Sequence, residues 1–219
     1  MPVRIITIER EYGSGGALIA RQLAERLGWK FWDQEITAEI ARVARVTPKA
    51  AERCDERVDS LVYRLFKVYA RGSYERALPI EGEAEGFDTD RMVSLLHTVI
   101  EDVASRGDCV IVGRGSSYIL RNRPDAAHFF IYAPLEEKIR RVRNIGKSDQ
   151  EARKLVAEID RDRASFIRHY FQAEWPHRAH YNLMINSHFG DEHVIDTILQ
   201  QVAFLDTQLQ AAPTRAASS

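Results

Sequence analysis

The 219-residue chain has only two cysteines, Cys54 and Cys109. They lie far apart, match no metal spacing and suggest no disulfide framework, so free thiols in a reducing compartment are expected. Charge of one sign is missing as well. Thirty-one Lys and Arg stand against 32 Asp and Glu, a net charge of -1, and no global field would recruit nucleic acid. No apolar run approaches membrane-spanning length, and the N-terminus enters a candidate strand at once, leaving no room for a signal peptide. A cytoplasmic protein with no membrane partner is expected. His169, His177 and His180 lie near one another, but with Pro176 between the first pair they lack a metal spacing. No Ser-His-Asp pattern, reactive-cysteine context or internal repeat stands out, and no protein-held metal site is expected.

The absence that says most is a lysine. Arg4 to Ile8 is a β-branched run suited to a buried strand, and Gly13-Ser14-Gly15-Gly16 follows it. Leu18, Ile19, Leu23 and Leu27 then recur at helical spacing up to Gly28, which is placed to end the helix. This is the layout of a phosphate-binding P-loop, where backbone N–H groups and a helix N-terminus hold anionic oxygens. Gly16 stands where that motif has Lys, Ala17 where it has Ser or Thr, and Arg10 where it has its first glycine. The turn keeps the cradle without its side-chain cation or its magnesium hydroxyl. Ser14 is the only hydroxyl inside the loop.

Further strand candidates are 109–112, 128–132 and 183–185. Short apolar strands separated by helices argue for a parallel sheet covered on both faces. In such a sheet ligands sit beyond the carboxyl ends of the strands. That places the glycine turn, Gly113-Arg114-Gly115-Ser116 and the segment after Tyr132 together. Helices are expected over 34–46 and 50–70, from Thr89 or Asp90 towards Gly107, from about Pro134, and over 192–209. The stretch 71–88 reads as an irregular connection. The expected division is a core of about 1–34 and 91–210, a helical insertion of about 35–90, a small lid of about 140–168 and a disordered tail, 211–219.

Arginines supply the rest of the candidate chemistry. Lys138, Arg140, Arg141 and Arg143 follow the third strand; Arg140 and Arg143 share one helix face, Lys138 and Arg141 another. Arg161, Arg163 and Arg168 follow, interleaved with Asp160 and Asp162. Each run alone is consistent with a solvated face. Flanking the Asn144–Ser148 turn with few apolar anchors, they read together as a mobile lid that closes cations over phosphates, because the guanidinium fork binds phosphate bidentately. Glycines on both sides of Arg114 allow its side chain into the cleft. Asp33 either lies at the cleft edge or caps the next helix.

These segments resemble the cytidylate kinase-like family of P-loop proteins, relatives of the nucleoside monophosphate kinases. The resemblance covers nearly all of residues 3–205. It rests on ITIEREYGSGGALIARQLAERLG, FWDQEI, VIVGRGSSYIL, IYAPLEEKIRRV, the DRDR stretch before FIRHYF, and YNLMINS. It implies a P-loop three-layer α/β sandwich with a parallel sheet, a helical acceptor-binding insertion and a small lid. It implies ATP-dependent phosphoryl transfer to a nucleoside monophosphate or another small acceptor. Gly13 to Ala17 would hold the donor phosphates with Arg10, Arg140 and Arg143 nearby. Arg114 would contact the acceptor phosphate, Arg161 and Arg168 would embrace phosphates from the lid side, and Asp33 would open the acceptor site. Arg10, which begins the turn, and the lid arginines are the candidates to replace the missing lysine, and Arg161 and Arg163 are expected ahead of Arg10 because they can approach from the open side of the cleft. Mg2+ would be held mainly through phosphates and water, with Ser14 or Asp33 as the available side chains. The family's members closest to this chain carry a lysine-free GSGG loop, often with a basic or polar residue after it where this chain has Ala17. Ala133 replaces an aspartate that cytidylate kinases place after the third core strand, which departs from cytosine recognition. A non-catalytic nucleotide sensor and a dimeric scaffold are the alternative readings, and a homodimer remains open in each.

Overall fold

A computed structural model describes residues 2–33, 35, 36, 39 and 89–211. The helices expected over 34–46 and 50–70, the connection 71–88 and the tail from 212 onwards lie outside or almost wholly outside these residues. The expected insertion is therefore described only at its edges.

Five parallel strands form one sheet. They are β1 (Ile5–Arg10), β2 (Lys30–Trp32), β3 (Cys109–Val112), β4 (Ala126–Tyr132) and β5 (Leu183–Asn186), in the order β2-β3-β1-β4-β5. The helices are α1 (Gly16–Leu27), α2 (Thr89–Arg106), α3 (Ser116–Ile119), α4 (Leu135–Asn144), α5 (Asp149–Phe171) and α6 (Asp191–Ala211). Gly28 ends α1 in the left-handed conformation, its N–H bonding back to the Ala24 and Glu25 carbonyls.

Strand alternation explains the two-sided core. Ile6 and Ile8 of β1 and Phe129 and Ile131 of β4 pack with Ile19 and Leu23 of α1 and Val194 and Ile198 of α6. Ile5 faces the other way, with Cys109 and Ile111, onto Val99, Ile100 and Val103 of α2 and Phe166 of α5. The expected three-layer α/β sandwich is what the chain forms.

Several boundaries differ from expectation, among them the start of β4 at Ala126 where 128 is expected. β1 runs on through Glu9 and Arg10, both buried. Lys30–Trp32 is a strand although it has only three residues, and its Lys30 is exposed. The second basic run lies on a helix of its own, as expected, 23 residues long and begun by a reciprocal cap between Ser148 and Glu151. The last helix continues through Ala211.

The expected lid has more anchoring than its sequence suggests. Ile139 and Val142 of α4 pack against Ala152, Val156 and Ile159 of α5, and Tyr12 of the glycine turn joins them. The turn and the two basic helices therefore share an apolar cluster.

Candidate functional site

β1 occupies the middle of the sheet, between β3 and β4, where the strand order reverses. This is where a parallel sheet opens a crevice at its carboxyl end. The glycine turn leaves β1 there. Gly13 and Gly15 have φ of 78° and 79°, a left-handed conformation that glycine adopts without cost. Gly15 is the N-cap of α1 and receives no side-chain cap, so the amides that open the helix remain directed at the turn. Side chains at either glycine would strike α4: a Cβ on Gly13 would stand 2.8 Å from the Lys138 carbonyl, and one on Gly15 would meet the Arg141 guanidinium.

The turn is held from outside by several bonds. The Ser14 carbonyl accepts from Ser187 Oγ at 2.6 Å and from Arg141 Nη1 at 3.1 Å. Arg141 also donates to the Ser187 carbonyl and to Asp191, and its Nε donates to Glu137. The Tyr12 N–H donates to Asp160 Oδ1 at 2.7 Å, while Lys138 Nζ pairs with Glu11 at 2.9 Å and Asp160 at 3.3 Å. Arg163 Nη1 donates to the Arg10 carbonyl at 2.8 Å. A cradle fixed in this way needs little reorganisation when an anion arrives.

Beside it lies the second loop, tied on by the Gly113 N–H, which donates to the Ile8 carbonyl at 3.0 Å. Gly113, Arg114 and Gly115 all have positive φ, 66°, 57° and 67°. For Arg114 this is a costly conformation. It accompanies a buried ion pair: Arg114 Nη1 bonds Asp33 Oδ1 at 3.1 Å. Asp33, just past the end of β2, thus faces across β3 to Arg114, and the two expected acceptor residues come together. A Cβ on Gly115 would press to 2.5 Å from the Phe171 ring, so that glycine is also required for packing.

Other expected site residues are dispersed. Arg140 is exposed and paired with Glu137, and Arg143 is exposed with Asp149 at 3.6 Å. Arg161 and Arg168 lie exposed on α5. Arg163, expected as a lid cation, is fully buried against β1. The reason is helical phase: Arg163 follows Val156 and Ile159 on the buried side of α5, whereas Arg161 points outward. Ser14 spends its hydroxyl on the Glu11 carbonyl at 2.8 Å. With Ala17 in the hydroxyl's usual place, the turn presents no side chain for magnesium, and Asp33 is engaged with Arg114. Within the described residues no group of three or more His, Cys, Asp or Glu is arranged to hold a metal ion.

Residues that sequence reasoning did not assign to the site are Glu9, Glu11, Lys138, Arg141, Asp160 and Ser187. For Lys138 and Arg141 a signal existed, because their shared face borders Ile139 and Val142 while Arg140 and Arg143 face away. Burial pushes the Glu9 carboxyl up, and the positive charges of Arg10 and Arg163 pull it back. Burial also pushes Asp160 up, against Arg163 and the Tyr12 N–H.

The profile of the cytidylate kinase-like family matches residues 5–188. The chain belongs to this family. No curated protein matches it. Among solved structures, an uncharacterized protein from Eubacterium ventriosum ATCC 27560 is 20% identical with a TM-score of 0.65, over 91% of this chain and 98% of that one. Shikimate kinase from Acinetobacter baumannii, in complex with shikimate, is 17% identical with a TM-score of 0.50, over 92% and 94%. These likenesses establish a kinase-type fold. Family and fold together support a phosphotransferase of the nucleotide-kinase type.

Proposed function

We propose that the protein transfers the γ-phosphoryl group of ATP to a small acceptor, either a nucleoside monophosphate or a hydroxylated metabolite. The observation that carries this reading is the juxtaposition of the braced glycine turn with the buried Arg114–Asp33 pair on the adjoining strand end. The amides of Gly13 to Ala17 hold the donor phosphates. Arg114 clamps the acceptor, and Asp33 keeps its guanidinium oriented. The protein's contribution is position and charge, with no covalent intermediate on the enzyme. Mg2+ would be held mainly through the nucleotide's phosphates, where it would offset their charge, because Ser14, the turn's one hydroxyl, is fully buried.

A second reading is supported by the same turn. Without a lysine at 16 or a hydroxyl at 17, the cradle suits a nucleotide-binding sensor that transfers nothing. Two measurements separate the readings. Calorimetry with ATP tests binding, and a coupled ADP-release assay across nucleoside monophosphates and hydroxylated metabolites tests transfer. Acceptor-dependent ADP release supports the kinase. ATP binding without release from any acceptor sinks it in favour of the sensor, and no ATP binding sinks both. Gly15→Val serves as the control: at a φ of 79° beside Arg141 it should lose nucleotide binding and some stability together.

A further inference from the structure

Arg10 and Gly16 pose one puzzle jointly. Laid on this chain, the P-loop pattern of glycine, four residues, glycine, lysine and hydroxyl falls on positions 10, 15, 16 and 17. Position 10 holds the long basic residue and position 16 the glycine. Gly13 and Gly15 are explained by their left-handed backbone; Gly16 is not. It is the first residue of α1, it is absent from the positive-φ glycines, and its backbone accepts any L-residue. What excludes a side chain there is Arg10. A Cβ on residue 16 would stand 2.6 Å from Arg10 Cβ and 3.0 Å from its Cγ, with Ile131 next at an ordinary 3.5 Å. Arg10 Cβ cannot swing aside, because it is fixed to the central strand of the sheet.

We propose that Arg10 and Gly16 are a reciprocal exchange of the P-loop's first glycine and its lysine, and that Arg10 supplies the turn's basic charge. The two side chains would leave from nearly the same point, so only one of them fits. Arg10 is buried, strand alternation puts it on the same face of β1 as Ile6 and Ile8, which α1 covers, and its Cβ and Cγ lie against the first residue of that helix. A cation held there adds to the positive end of the helix dipole, an arrangement suited to an anion at the turn. The steric half of this inference is independent of function; the charge half rests on the ATP reading above.

The experiment is a mutant cycle read in two ways. Melting temperatures without ligand are compared for the wild type, Gly16→Ala, Arg10→Gly and the double variant Arg10→Gly with Gly16→Ala. Gly16→Ala alone should melt lower by about 3 °C or more. In the Arg10→Gly background the same alanine should cost nothing or raise the melting point, since it then meets only Ile131 at ordinary van der Waals distance on a helical residue. Equal losses in both backgrounds would overturn the steric coupling. Arg10→Lys provides a folded variant if Arg10→Gly does not fold: its Cβ remains, so Gly16→Ala must still be penalised, and a tolerated alanine there overturns the coupling too. Calorimetry with ATP then reads the charge. Arg10→Gly should weaken binding about tenfold or more, and Arg10→Gly with Gly16→Lys should recover most of that loss. Unchanged affinity in Arg10→Gly, or no recovery in the double variant, overturns Arg10 as the cation. A wild type that binds no ATP removes the nucleotide reading and the charge half together, and leaves the steric result standing.

Discussion

A guanidinium shut away from water must find acceptors nearby, or it destabilises the fold. Arg163 is fully buried and spends one donor on the Arg10 carbonyl, at the point where β1 gives way to the glycine turn. That bond holds backbone from beneath the turn and not from the open side of the cleft. Arg163→Ala should therefore lower unfolding free energy by about 3 kcal/mol or more, seen as a shift in the urea midpoint. A loss of turnover with no loss of stability would return Arg163 to the catalytic set. Arg114 and Asp33 allow a sharper test, because each is the other's buried counter-charge. Arg114→Ala or Asp33→Ala alone strands a charge and should cost about 3–5 kcal/mol. Arg114→Met with Asp33→Leu removes both charges and should recover most of that stability while acceptor affinity stays lost. Recovery of acceptor binding in that double variant would show that the pair serves the fold alone.

At the scale of elements, α4 and α5 are braced by Ile139, Val142, Val156 and Ile159 with Tyr12 of the turn. A truncation such as Ile159→Ala should cost about 2–5 kcal/mol. Because Tyr12 shares that cluster, ATP affinity should fall with it, so calorimetry and urea unfolding should move together. Amides over α4 and the middle of α5 should resist hydrogen exchange before any ligand is added, leaving ligand-dependent slowing to the 145–148 turn; rapid exchange of the whole segment in the free protein would restore the mobile lid. These elements also show what could be read in advance. Apolar periodicity reports burial directly, so β1, β3, β4, α1 and α6 were legible nearly to their ends. β2 was not, because three residues beginning with an exposed lysine are too short to show a period. The basic face of α4 that meets the turn was legible only as one of two choices, since spacing pairs Lys138 with Arg141 as readily as Arg140 with Arg143. Arg163 looked like part of a solvated run because Asp160 and Asp162 alternate with it. Which charges go inward depends on what they meet across space, and the Arg10 carbonyl lies 153 positions away in sequence.

Across the whole molecule, one sheet separates two different interiors. The α1–α6 side is mainly aliphatic around Phe129, whereas beneath β4 on the other side imidazole and aromatic rings stack: the His180 ring centre lies 4.1 Å from that of Tyr118 and 5.8 Å from that of His128. His128 is buried, with Nδ1 2.7 Å from Thr7 Oγ1 on the central strand. A neutral ring can share the bond with the Thr7 hydroxyl in either tautomer. Burial, reinforced by His180, pushes His128 down to about 4 from the ordinary 6.5, and burial lowers His180 as well. The unfolded chain therefore binds protons that the folded chain refuses. Stability from these rings is fully present above about pH 6.5 and is lost as pH falls towards 4, by about 3 kcal/mol for His128. Glu137, held near 2 by Arg140 and Arg141, gives up its stabilisation only below its ordinary value of 4.5, while Glu9 and Asp160, pushed up by burial, act with the opposite sign and are common to both proteins compared below. Urea midpoints measured between pH 7 and pH 5 should thus fall in the wild type and fall less in His128→Asn. Parallel pH profiles for the two proteins would show that the buried stack does not set the acid limit of this fold.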